Sequence, residues 1–326
     1  MGNTYSPKEM MAAYGIAPKK SLGQNFLNNL EVVREIVSYA EITKEDLVIE
    51  VGPGLGVMTG MLAEEAGYVA AIEIDRSLME PLTALCKIHP NLTVYNEDVM
   101  KMNVGARIEE LKAAHGLSRV KVVANLPYYI TTPIIMMFLE QYAGELSSLT
   151  FMIQKEVAER LTAKSGGKDY GAITVAVGYF SEPRICMHVG AHCFIPQPNV
   201  DSAVVRLDVR ENPPFVLESQ DYFFKVVRAA FCQRRKMLAN ALANAPYLGV
   251  TREQVVEALG TMNLDDKINE MKGVYVPFWL FDCDADANIV YDATKVRHWS
   301  DSKYEYTETS HFNVYRDGKL SFKNIP

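Results

Sequence analysis

Asn125-Leu126-Pro127-Tyr128 closes the apolar run Val120-Lys121-Val122-Val123-Ala124, placing a carboxamide, a rigid ring and an aromatic side chain where a buried strand should stop. An amino group on a flat heterocycle needs such groups: a carboxamide and backbone carbonyls accept its N–H bonds, and an aromatic ring stacks on its face. Proline stiffens the turn by fixing its own φ and biasing the preceding residue towards extended geometry. An ordinary strand-to-loop turn uses the same residue types, so other signals must decide. Glu50-Val51-Gly52-Pro53-Gly54-Leu55-Gly56 follows an earlier apolar run, and Gly52, Gly54 and Gly56 let the backbone turn sharply and approach a ligand. Glu73 closes the next run, where a carboxylate can accept both hydroxyls of a ribose. Asp98 follows the third and could accept from an adenine amino group.

The glycine loop alone fits dinucleotides as well as other nucleosides. The dinucleotide fingerprint, however, wants its third glycine at position 57, which is Val57; here it falls at Gly56. That spacing, with a preceding acid, suits S-adenosylmethionine, which has no pyrophosphate to cradle. The alternative is a tight turn flanked by solvated strand ends.

The elements that must position these residues alternate in kind. Leu47–Val51, Tyr68–Ile74, Leu92–Tyr95, Val120–Ala124, Leu149–Ile153 and Val204–Leu207 read as strands, and segments near 31–41, 57–66, 77–88, 132–142 and 154–164 as helices. Near-continuous apolar strands separated by helices predict an α/β, Rossmann-like, mostly parallel sheet covered on both faces. After Asn212-Pro213-Pro214 the chain reads as helical over 220–245 and 251–260, with Thr251 and Gln254 at capping-box spacing. From about residue 269 it turns β-rich: Gly273–Phe281, Ala287–Trp299 and Tyr304–Phe322 read as strands, with a tight turn at Asp317-Gly318.

Composition is that of a globular protein, 48% hydrophobic and 22% charged over 326 residues. No apolar run reaches the ~20 residues needed to span a bilayer. The five cysteines are scattered without a C-x-x-C pair, and the histidines lack metal-ligand spacing; a reducing cytoplasm and no metal are expected. A net charge of −7 means that nucleic-acid binding would need a local basic face. Candidates for phosphate contact are Arg234, Arg235 and Lys236, then Lys19 and Lys20, although an Arg-Arg-Lys run is also a common solvated helix face.

Taken with Lys20-Ser21-Leu22-Gly23-Gln24-Asn25-Phe26-Leu27, Tyr170-Gly171, Phe194-Ile195-Pro196-Gln197-Pro198-Asn199-Val200-Asp201-Ser202 and Phe231-Cys232-Gln233-Arg234-Arg235-Lys236-Met237-Leu238, the chain from about residue 15 to 268 resembles the bacterial rRNA adenine N6,N6-dimethyltransferases that act on 16S rRNA. The resemblance implies that Asn25, Leu27, Gly52, Glu73, Asp98 and Asn125 contact S-adenosylmethionine. It also implies that Asn125 and the Leu126 or Pro127 carbonyl hold adenine N6, while Tyr128 stacks on the base with Phe194 a candidate for its other face. A core aromatic is the other reading of Phe194. The implied partner is 16S rRNA in the small ribosomal subunit or its precursor, with no membrane and a monomeric enzyme. The expected domains are a methyltransferase domain over 1–205, a helical RNA-positioning domain over 206–268, and an atypical β-rich tail over 269–326. Family members finish the helical domain with another helix, so the resemblance implies truncation there and a fusion. The tail resembles part of a β-rich module of small bacterial zinc-ribbon proteins, without the ribbon cysteines. Two rivals stand beside this reading: a 23S rRNA adenine methyltransferase of the macrolide-resistance type, and a non-catalytic RNA-binding assembly factor.

Overall fold

The computed structural model describes residues 6–232, 237–261, 285–286, 289–300, 305–316 and 319–320. In chain order the elements begin with α1 (Pro7–Tyr14), β1 (Phe26–Leu27), α2 (Leu30–Ala40), β2 (Asp46–Val51), α3 (Val57–Glu65), β3 (Tyr68–Ile72), α4 (Met79–Ile88) and β4 (Leu92–Tyr95). There follow α5 (Val104–His115), β5 (Arg119–Asn125), α6 (Thr131–Tyr142), β6 (Ser148–Gln154), α7 (Lys155–Leu161), α8 (Ala172–Phe180), β7 (Ser181–Val189), β8 (Phe194–Ile195) and β9 (Ser202–Val209). Beyond residue 212 lie α9 (Gln220–Cys232), α10 (Leu238–Ala243), α11 (Arg252–Thr261) and four strands, β10 (Ala285–Asp286), β11 (Ile289–Ser300), β12 (Glu305–Arg316) and β13 (Lys319–Leu320).

Seven strands form one sheet in the order β4-β3-β2-β5-β6-β9-β7. The first five are mutually parallel, while β9 is antiparallel to both β6 and β7. Every residue of β2 and β3 is buried, as expected of strands covered on both faces. The sheet is therefore the expected Rossmann-like one with an antiparallel edge. Its order reverses between β2 and β5, and the ends of those strands carry the glycine loop and the 125–128 turn. Ligands of open α/β sheets collect at such a switch point.

Buried charge ties down the opposite end of this central pair. Asp46, at the start of β2, is fully buried and bonds Arg119 Nε at 2.9 Å and Lys121 Nζ at 3.1 Å, both from β5. Lys121 also donates to the Glu41 carbonyl. Each buried charge is thus paired, which offsets its desolvation.

The boundary expected at 205 cuts β9, which keeps pairing with β6 as far as Asp208 and with β7 as far as Val209. The compact units divide at Asn212/Pro213, where two successive prolines cannot continue a ladder. In the second unit α9, α10 and α11 bury Val226, Leu238, Leu242, Leu248, Val255 and Leu259 together. Thr251 caps α11 as expected, its Oγ accepting from the Gln254 N–H while Gln254 Oε1 accepts from the Thr251 N–H. Further on, β11 and β12 pair antiparallel from Ile289↔Arg316 to Ser300↔Glu305, and β10 pairs with β13. The expected strand at 273–281 and the turn at 317–318 lie outside the described residues. No helix among the described residues is long and apolar enough to cross a membrane.

Candidate functional site

A cavity of about 470 Å³ opens at the switch point, lined by the segment after α1, the glycine loop, the ends of β3 and β4, and the 125–130 turn. Its volume suits a nucleoside-sized ligand.

Gly52 and Gly54 form one wall, both with positive φ, 69° and 61°. A Cβ at Gly54 would lie 3.3 Å from the Phe26 ring, and the Gly54 N–H donates to Glu73 Oε2 at 3.1 Å. Gly56 does something else. It does not line the cavity; its φ of 81° starts α3, and a Cβ there would stand 2.3 Å from Leu85 Cδ1. The Leu82 and Leu85 side chains of α4, packed against the start of α3, account for this glycine. Glu50, the acid preceding the loop, also lies outside the cavity, fully buried. Burial, reinforced by the charge of nearby Glu73, pushes its pKa up to about 8, so it is a neutral acid at pH 7. The Thr59 hydroxyl is close enough to oppose that shift without meeting hydrogen-bond geometry.

Glu73 is 4% exposed and faces the cavity. Its Oε1 accepts the Asp75 N–H at 2.7 Å and its Oε2 the Gly54 N–H, leaving a lone pair on each oxygen for a diol. Burial raises its pKa to about 7 against the opposing pull of those two N–H groups. Asp98 lines the same cavity beyond β4, with Oδ1 accepting the Met100 N–H at 3.0 Å.

Asn25 and Leu27 reach the cavity because β1 pairs with β8, setting Leu27 opposite Phe194 and Phe26 opposite Ile195. Two motifs distant in sequence thus meet across a two-residue ladder. Phe194 is 3% exposed, belongs to the main core and lines the cavity, so it serves packing and site together.

At the end of β5 the Leu126 N–H extends the ladder to the Met152 carbonyl at 3.1 Å, and the Leu126 side chain is 1% exposed. The Pro127 carbonyl is already committed, accepting the Ile130 N–H at 3.2 Å and the Thr131 hydroxyl at 3.1 Å. Of the two carbonyls considered for an incoming amino group, only that of Leu126 has no donor among the described residues. Asn125 Nδ2 donates to the Asn25 carbonyl at 3.3 Å, which orients the carboxamide, since the flipped form would set oxygen against oxygen. Oδ1 then has no donor among the described residues. Tyr128 is held from behind by Ser202, hydroxyl to hydroxyl at 2.8 Å. Ser202 ends a motif quoted above, but nothing in its spacing revealed this contact. Tyr129, also missed, stands 61% exposed at the cavity and packs against Gly23.

The candidate phosphate contacts fare differently. Arg234, Arg235 and Lys236 lie outside the described residues. Lys20 is exposed. Lys19 is not a free cation: its Nζ sits 2.5 Å from Asp75 Oδ1.

Residues 16–270 match the model of the ribosomal RNA adenine dimethylase family. The chain is 46% identical over 259 residues to ribosomal RNA small subunit methyltransferase A of Alkaliphilus oremlandii, covering 79% of this chain and 88% of that one. The corresponding protein of Lachnoclostridium phytofermentans is 43% identical over 260 residues, with the same coverage. Among solved structures, a dimethyladenosine transferase from Plasmodium falciparum superposes with a TM-score of 0.61 at 24% identity, covering 76% of this chain and 93% of that one. The 23S rRNA methyltransferase ErmE gives 0.57 at 26% identity, covering 78% and 95%.

Proposed function

The chain belongs to the ribosomal RNA adenine dimethylase family, and on that premise we propose that the cavity at the switch point carries methyl groups from S-adenosylmethionine to N6 of two adjacent adenines in a 16S rRNA hairpin during small-subunit assembly. The residues present fit that methyl donor: a diol-accepting carboxylate at Glu73, a cradle at Gly52 and Gly54 without Cβ atoms, an acceptor at Asp98, and apolar walls. Asn25 and Leu27 complete the cofactor side. When bound, S-adenosylmethionine supplies an electrophilic sulfonium methyl.

Adenine N6 is a weak nucleophile because its lone pair is delocalised into the ring. Asn125 Oδ1 and the Leu126 carbonyl accept its two N–H bonds, favouring a pyramidal nitrogen and aiming its lone pair into the cavity. This is positioning and electrostatic catalysis without a dedicated general base. Tyr128 stacks on the extruded base, its ring steadied by Ser202, and Phe194 closes the other side. Stacking offsets part of the cost of taking the base out of the RNA. Each transfer leaves an acidic N-methylated cation that gives its proton to solvent, so after the first a single N–H remains, and either acceptor suffices to hold it for the second. Lys20 with Arg234, Arg235 and Lys236 serves phosphate contact, and the helices beyond residue 212 position the RNA.

The observation that carries this reading is the pair of open acceptors, Asn125 Oδ1 and the Leu126 carbonyl, beside a committed Pro127 carbonyl. Methyl transfer to unmethylated small subunits tests it. Asn125→Ala is expected to lose about a hundredfold or more in transfer at saturating S-adenosylmethionine while losing only about 1 kcal/mol of stability at this strand end. Near-normal turnover of that variant would sink the mechanism. Transfer confined to large-subunit RNA would favour the 23S reading, and cofactor binding without any transfer by wild type would favour the assembly factor. The 43–46% identity to small-subunit methyltransferases supports the small-subunit choice.

A further inference from the structure

Asp75 lies just beyond Glu73, and its side chain is 1% exposed. Four donors converge on it. Oδ1 accepts Lys19 Nζ at 2.5 Å, the Ser77 N–H at 2.9 Å and the Ser77 hydroxyl at 2.6 Å; Oδ2 accepts Gln24 Nε2 at 2.7 Å. Burial alone would raise its pKa, but Lys19, Ser77 and Gln24 outweigh that and hold it at about 2, so it is charged throughout the working range. Two of the four donors come from the segment that walls the cavity, far away in sequence.

That segment has little structure of its own. Between α1 and α2 it holds one turn of 3₁₀ helix, Lys20–Leu22, and the two-residue β1. Leu22 to Leu27 nevertheless line the cavity. Beyond the few bonds inside its own turn, such a strap keeps its shape through anchors, one of them the bond from Asn125 Nδ2 to the Asn25 carbonyl. Its C-terminal anchor is the β1–β8 pair together with the Asn28 N–H to the Cys193 carbonyl at 2.7 Å. Its N-terminal anchor is Asp75, made firmer by Gln24 Oε1, which accepts the Lys19 N–H at 2.8 Å. The backbone of Asp75 also donates to Glu73 Oε1, so a single residue fixes the strap on one side and the diol acceptor on the other.

We propose that Asp75 is a positioning residue for the methyl donor, latching residues 19–25 across the cavity through Lys19 and Gln24 and aligning Glu73 through its own N–H. This rests on the reading of the cavity as the S-adenosylmethionine site. It gives Lys19 a structural task in place of phosphate contact, and the two tasks differ in what they control. A latch governs cofactor retention. A phosphate contact governs RNA affinity and its salt dependence.

The test uses the full chain as wild type, Lys19→Met and Asp75→Asn, with calorimetric titration of S-adenosylhomocysteine and amide hydrogen exchange of residues 19–27 without ligand. Loss of a charge-assisted hydrogen bond predicts about tenfold weaker binding in Lys19→Met and somewhat more in Asp75→Asn. Exchange across 19–27 should quicken in both, while KM for small subunits stays within about twofold in Lys19→Met. Lys19 is half exposed, so its variant keeps the test decisive if Asp75→Asn folds poorly. Unchanged affinity and unchanged exchange in Lys19→Met would overturn the latch. So would a Lys19→Met variant with normal cofactor affinity, raised KM for subunits and a shallower salt dependence. A wild type that binds no S-adenosylhomocysteine would overturn the cofactor reading and, with it, this role; quickened ligand-free exchange would then still mark Asp75 as the strap's anchor, so the two failures are distinguishable.

Discussion

Lowering the pH from 8 to 6 is expected to weaken cofactor binding about tenfold through Glu73 alone. Its buried carboxyl has a pKa of about 7 without ligand, and ribose hydroxyls donate to the ionised form. Apparent affinity scales with the ionised fraction, roughly nine-tenths at pH 8 and one-tenth at pH 6. The linked stability has a definite sign. A carboxyl whose pKa rises from 4.5 unfolded to about 7 folded keeps its proton in the native state while the unfolded chain has lost it. Stability contributed by that proton is full below the unfolded value and is lost as pH rises through about 7, by up to about 3 kcal/mol. Ligand hydroxyls restore part of it. Asp75 remains ionised over this range, and Glu50, at about 8, is the other buried acid that titrates nearby. Titration with S-adenosylhomocysteine at several pH values, each in two buffers of different ionisation enthalpy, measures both consequences: the tenfold slope and release of roughly half a proton at pH 7. Glu73→Gln separates the two acids by flattening the profile at a lower affinity. A flat profile in wild type, or the same slope surviving in Glu73→Gln, would refute the reasoning.

Gly56→Ala is expected to destabilise the fold by about 2–3 kcal/mol, because its Cβ would stand 2.3 Å from Leu85 Cδ1 at a positive φ; urea unfolding measures this, and a loss below 1 kcal/mol would contradict the packing role. Tyr128→Ala should lower kcat/KM for small subunits by roughly ten- to a hundredfold, the value of one base–aromatic stack, with cofactor affinity unchanged. Tyr128→Phe, which loses only the Ser202 bond, should cost less than about tenfold.

The sheet was legible because its buried strands are written as largely apolar runs, and all six strands read from them, five parallel and one antiparallel, are present. The strand that escaped, Ser181–Val189, is one edge of the sheet: it carries Glu182, Pro183, Arg184 and His188 and is partly exposed over most of its length, so it lacks the apolar run of its neighbours. Helices α1, α5 and α8 were also missed, α8 because AITVAVGYF is rich in β-branched and aromatic residues that favour strands. At the site, Gly52, Glu73, Asp98 and Asn125 could be read because turn chemistry and strand ends are local. The partners of Gly56 and Lys19 could not. Leu85 and Asp75 approach them only through packing of separate elements, and a glycine freed for packing has the same letter as one freed for a ligand. Likewise, that Pro127 spends its carbonyl on Ile130 and Thr131 follows from the start of α6, which motif spelling does not convey.

The most direct test of the central claim is mass spectrometry of 16S and 23S rRNA digests after unmethylated subunits are incubated with the full chain and S-adenosylmethionine. N6,N6-dimethyladenosine at two adjacent adenines of 16S rRNA, and none in 23S rRNA, is the expected result. Dimethyladenosine only in 23S rRNA, or no methylated adenosine in either, would contradict it.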